Sequence, residues 1–109
     1  MPLRLDTLGA NETLANLQAT IVQIEAIGFE LVSLARGVVG GAPSNTATFR
    51  NRPPGNAPGP LTLVEVAGAI PLPAQSTAVN AGETGGKKLI SYAVVLVQGK
   101  ETNVAAYRG

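Results

Sequence analysis

The chain has no cysteine, no histidine and no tryptophan. Without cysteine there is neither a disulfide framework nor thiolate chemistry, and the redox compartment is left open. Without histidine the usual general base near neutral pH and the commonest metal ligand are missing. Only Phe29, Phe49, Tyr92 and Tyr107 are aromatic, too few to interleave stacking platforms with basic residues as a single-strand nucleic-acid binder does. Charge is also scarce. Asp, Glu, Lys and Arg make up 14% of the 109 residues, against about 25% in an ordinary soluble domain. The net charge of +1 argues against strong capture of nucleic acid or an anionic membrane. No apolar run approaches the roughly 20 residues that cross a bilayer; Leu89–Val97 is strand-length. Met1–Asp6 lacks a basic segment followed by an apolar run, so no signal peptide is expected. The expectation is a soluble chain, cytoplasmic at synthesis.

A small domain has much surface. A shortage of charge leaves that surface neutral or apolar, and such surface is usually covered by a partner. This points to a homo-oligomer or a larger protein assembly. The alternative is a monomer coated with Thr, Asn, Ser, Gly and Pro.

The clearest element is a helix over Asn11–Ile27. Leu14, Leu17, Ile21 and Ile24 recur on one face, with Asn16, Thr20 and Gln23 opposite. Asn11 is the expected N-cap, and Gly28 suits a left-handed C-terminal cap. Strands are expected at Phe29–Arg36, Thr46–Arg52, Leu61–Ile70 and Leu89–Gln98, with a short one at Leu3–Leu5. Gly99–Thr102 reads as a hairpin turn into Asn103–Arg108. Pro53–Pro60 has four prolines and two glycines, which forbids helix or central strand and makes it an extended connector or loop. Ala74–Lys88 reads as a long polar loop. No internal repeat is evident. Residues 1–109 are expected to form one α+β domain with the Pro/Gly-rich loop at 53–60.

The motifs are few. Gly82-Glu83-Thr84-Gly85-Gly86-Lys87-Lys88 suggests a phosphate loop, but three residues rather than four separate Gly82 from Gly86, and Lys88 stands where Ser or Thr is needed. Arg36, Arg50 and Arg52 would converge if their strands pair in register, and Lys87 and Lys88 could join them. Such a cluster would bind a carboxylate, a phosphate or a partner; the competing reading is a solvated edge that discourages aggregation. The acids are scattered, with no calcium loop and no glycosidase pair. Glu65 would be a candidate acid or base if it pointed inward; outward, or paired with arginine, is favoured. Tyr92 would serve packing or a ligand pocket. No serine lies in a nucleophile elbow or has a base to activate it.

The stretch Gly28-Phe29-Glu30-Leu31-Val32-Ser33-Leu34 after an amphipathic helix resembles a family of small bacterial and phage domains of unknown function with the pattern Gly-Trp-Glu-Leu-Val-Ser. Ala47-Thr48-Phe49-Arg50-Asn51-Arg52-Pro53 is similar to the strand that often closes them. The resemblance covers residues 3–54, with Phe29 at the tryptophan position and no counterpart for Leu61–Gly109. It implies a helix packed on a small antiparallel sheet and supplies no reaction.

The expected architecture is thus α+β, with one N-terminal amphipathic helix on a mostly antiparallel sheet of four to six strands, ferredoxin-like or related. The alternative puts the last three strands in a sheet of their own or pairs them with a neighbouring subunit. The function expected is a non-enzymatic structural or interaction subunit without cofactor or metal, a phage virion component being the concrete form. The alternatives are a ligand-binding or regulatory module, with Arg50 and Arg52 as anion anchors under an Ala74–Lys88 lid, and a cofactor-free enzyme built on Glu65, Tyr92 or an arginine.

Overall fold

A computed structural model describes residues 3–53 and 58–109; the expectation for the centre of the Pro/Gly-rich segment falls on residues 54–57, outside them. Strand β1 (Leu3–Leu8) comes first, so the helix is not N-terminal. Helix α1 (Leu14–Ala26) begins at the first of its apolar positions, later than the expected start at Asn11. Its N-cap is Thr13 rather than Asn11, because the Thr13 hydroxyl accepts from Asn16 N–H (3.2 Å) and satisfies one of the orphan amides of the first turn. Strands β2 (Phe29–Val39) and β3 (Ala42–Asn51) form one long hairpin. Strand β2 runs on past Arg36, its expected end, and Gly40 and Gly41 make the tip: both take positive φ, as a two-residue turn matched to the twist of the strands requires.

After residues 58–60 the pattern of elements runs again. Strand β4 (Leu61–Val66) leads into helix α2 (Leu72–Ala81), a 3-10 turn at Thr84–Gly86, strand β5 (Lys88–Val97) and strand β6 (Lys100–Arg108). The segment expected to be a polar loop is therefore mostly helical. Pro71 precedes α2, and Pro73 stands in its first turn, where a fixed φ is tolerated. The last hairpin turns at Gln98–Gly99, not at Gly99–Thr102, again with φ positive at both positions.

The six strands make two antiparallel sheets of three, in the orders β1-β3-β2 and β4-β6-β5. This corrects the single, ferredoxin-like sheet, and it is the alternative in which the last three strands stand apart. Where β2 and β5 approach each other, the Ser91 hydroxyl occupies the gap, accepting from Leu34 N–H and donating to the Leu34 carbonyl in long contacts of 3.4 Å.

The expectation of no internal repeat is also corrected. Each half is a β-α-β-β unit, and the registers coincide at a constant spacing of 58 residues (3 to 61, 45 to 103). Leu3 pairs with Arg50 as Leu61 pairs with Arg108, and Leu8 with Asn45 as Val66 with Asn103. Bulges fall at matching places, between Leu31 and Ser33 and between Leu89 and Ser91. In both units a glutamate beyond or at the helix end reaches the bulge: Glu25 Oε2 accepts from Leu31 N–H, and Glu83 Oε2 from Leu89 N–H, at 2.8 Å each. Side chains at matched positions agree most closely along the hairpins, where Ser44-Asn45-Thr46-Ala47-Thr48-Phe49-Arg50 corresponds to Thr102-Asn103-Val104-Ala105-Ala106-Tyr107-Arg108.

In each unit the helix covers one face of its own sheet. In the first, Leu17 and Ile21 pack with Leu8, Leu31, Leu34, Ala47 and Phe49; in the second, Val79 packs with Val66, Leu89, Tyr92, Ala105 and Tyr107. The units then join unequally. The back of the second sheet (Leu61, Leu63, Val95, Val97, Val104, Ala106) is buried in the same core as α1 and the helix-covered face of the first sheet. The equivalent back of the first sheet faces outward.

Candidate interaction surfaces

The junction between the units is crossed by a set of polar side chains. Glu25, buried at the end of α1, receives Arg108 from β6: Nη1 donates to Oε1 at 3.0 Å and Nη2 donates to Oε2. This is a bidentate, charge-assisted contact. Asn45 on β3 is fully buried (0% exposed). Its amide oxygen accepts from Leu96 N–H (2.7 Å), and its Nδ2 donates to the Leu96 carbonyl (2.8 Å) and to the Gly9 carbonyl (3.2 Å). Gln18 Oε1 on α1 accepts from Leu63 N–H (2.9 Å), covering the edge of β4. The Gln98–Gly99 turn rests on the loop before α1, donating to the Glu12 carbonyl (2.9 Å) and the Ala10 carbonyl (2.8 Å).

The surface left open has three parts. The back of the first sheet carries Leu3 and Leu5 beside Thr46 and Thr48, with Leu5 68% exposed. The β2–β3 hairpin ends in Val38 and Val39, Val38 being 66% exposed. In the second unit, an open, mainly apolar cleft of about 550 Å³ lies between α2 and β5, lined by Leu72, Gln75, Ser76, Val79 and Tyr92 among others. In the same unit, Asn103 lines a separate groove with Glu65, Ala67 and Gly68.

The five basic residues singled out in the sequence are dispersed. Arg36 lies opposite Asn45 and pairs with Glu101 (3.2 Å). Arg50 stands five residues further along β3, which at about 3.4 Å per residue puts it some ~17 Å away. Arg50 is exposed opposite Glu30. Arg52, half-buried, donates from Nη2 to the Glu25 carbonyl (2.6 Å). Lys87 and Lys88 are exposed at the start of β5 in the other sheet. Glu65 is exposed at the end of β4. Tyr92 Oη donates to Gln75 Oε1 (2.6 Å) and thereby ties β5 to α2. The lid expected from Ala74–Lys88 is helix and turn packed on the second sheet. Among the described residues no group of three or more acidic side chains could hold a metal ion, and no helix is long and apolar enough to cross a membrane. Glu25, Asn45 and Arg108 were not signalled by sequence, because their importance depends on which strands of the two units meet.

Comparisons with protein-family models, with curated proteins and with solved structures found no match.

Proposed function

We propose that this chain is a non-enzymatic structural subunit that assembles with copies of itself. The observation that carries this reading is the back of the first sheet, where exposed Leu3 and Leu5 lie among uncharged Thr46 and Thr48. A monomeric protein seldom leaves neighbouring large apolar side chains of a sheet face uncovered, and this row of leucine and threonine side chains, with Arg50 opposite Leu3 at its end, is suited to pack against another surface. The low charge of the whole chain acts in the same direction, since little repulsion opposes association. A phage virion component is the concrete form of such a subunit, and the low charge and the Pro/Gly-rich segment of the sequence support it. The test is the mass of the native protein by light scattering over a wide concentration range. Particles above the monomer mass of 11.1 kDa are expected. A monomer at millimolar concentration removes the homo-oligomeric reading.

A further inference from the structure

The two units meet through different surfaces, and each unit keeps unused the surface its twin employs. The first unit offers its helix, loop and glutamate, and the second offers the back of its sheet, its hairpin turn and its arginine. A contact of this kind can be repeated. We propose that copies of this chain join head to tail, the back of the first sheet of one copy seating on the α2 side of the next, in the arrangement already seen between the two units. This rests on the homo-oligomeric reading above and adds its geometry.

Apart from the β2–β5 approach at Ser91, the parts of the internal contact have open counterparts at the spacing of 58 residues. Leu61 and Leu63, buried against α1, correspond to exposed Leu3 and Leu5. The surface of α1 that receives them, including Leu14, Leu17, Gln18 and Ile21, corresponds to Leu72, Gln75, Ser76 and Val79, which line the open cleft. Arg108 reaches Glu25 inside the chain. Its twin Arg50 is exposed and has no hydrogen bond or ion pair among the described residues, and the twin of Glu25 is exposed Glu83. Asn45 holds the backbone of Leu96. Its twin Asn103 makes no side-chain hydrogen bond among the described residues, and the twin of Leu96 is exposed Val38. The Gln98–Gly99 turn sits on the loop before α1, while the matching Gly40–Gly41 turn is exposed.

The faces differ in one informative way. Val95, Val104 and Ala106 on the buried back of the second sheet become Gly37, Thr46 and Thr48 on the open back of the first. The contact between copies is therefore more polar than the contact within a copy, as suits an interface whose subunits must also exist apart. Heterologous contacts of this kind close into rings or continue as fibres, according to the rotation between neighbours.

The test uses two surface variants of the full chain. Leu5→Glu spoils the sheet face, and Ser76→Arg spoils the α2 side at the position matching Gln18. Both sites are exposed, and circular dichroism checks that each variant folds. Light scattering is expected to show that the wild type assembles and that either variant alone needs at least tenfold higher concentration to do so. An equimolar mixture of the two is expected to form a dimer and nothing larger, because each variant retains one sound surface. A two-fold contact of one face with itself gives no such complementation. If the wild type assembles but the variants assemble equally well, or the mixture stays monomeric, the head-to-tail geometry is wrong and assembly stands on another surface. If the wild type is monomeric throughout, self-assembly itself is refuted.

Discussion

Tyr107 projects its phenol from β6 toward α2, where its hydroxyl donates to the Val79 carbonyl (2.7 Å) and is buried. Burial, chiefly, raises its pKa above the ordinary 10.0, with Glu83 and then Tyr92 adding to the shift. The neutral phenol is the form that folds best. Its contribution to stability is complete below the unfolded-state value near pH 10 and is lost as the pH rises through the higher folded-state value. Tyr107→Phe should cost about 1 kcal/mol at pH 7 through the lost hydrogen bond. Above pH 10 the gap between wild type and variant should narrow, because the variant has no buried phenol to ionise. Urea midpoints measured from pH 7 to pH 11.5 decide it; a gap that stays constant across that range means the Tyr107 ionisation is not linked to folding.

The elements differ in how openly the sequence declares them. Helix α1 is legible because Leu17 and Ile21 are buried between two sheets and leave a continuous apolar stripe. Helix α2 is not, because Val79 is its one buried residue and its outer side has no cover among the described residues. Ser76, Thr77 and Asn80 then read as loop. The strands were recognisable from their β-branched runs, but β2 runs on past Arg36 and β3 begins before Thr46, with Gly40 and Gly41 between them supplying the turn. Gly82 shows how α2 is fitted to its sheet. A β-carbon there would lie 2.2–2.8 Å from the Oη, Cζ and Cε2 atoms of Tyr107. In the first unit the same two positions hold Ile24 and Phe49, a larger helix residue facing a ring without a hydroxyl. Gly82 has helical φ and ψ, so propensity alone would have alanine stabilise it by roughly 0.5–1 kcal/mol. Overpacking against Tyr107 reverses the sign, and Gly82→Ala should destabilise by about 1–3 kcal/mol. A thermal melt showing a higher midpoint for the variant would mean that the ring has room to move.

At the scale of the molecule, the duplication was hidden because matched positions have different surroundings. Val104 and Thr46, or Ile24 and Gly82, occupy the same place in the two units and face a core in one and solvent or a different neighbour in the other. What survives in both is what the unit needs for itself: the bulged Leu-x-Ser, the helix-end glutamate, the asparagine and the arginine of the last strand. The candidate surfaces were legible only as a shortage of charge, since their location depends on which unit covers the other. The way the units are joined also sets how the protein unfolds. The first unit's core is completed by the back of the second sheet, and the Glu25–Arg108 pair and Asn45 cross between them. Neither unit keeps its buried surface alone, so one cooperative transition is expected. Both tyrosines belong to the second unit and both phenylalanines to the first, so tyrosine fluorescence reports one half while far-ultraviolet circular dichroism reports the whole. In wild type, at a fixed protein concentration, the two urea curves should coincide. Glu25→Ala strands the Arg108 guanidinium in a largely buried site, a loss of about 3–5 kcal/mol for a broken buried pair, and removes the acceptor for Leu31 N–H. If the pair is what couples the units, both curves shift together to lower urea. Curves that separate already in wild type would show that the two units fold independently and that their shared core contributes little to holding them together.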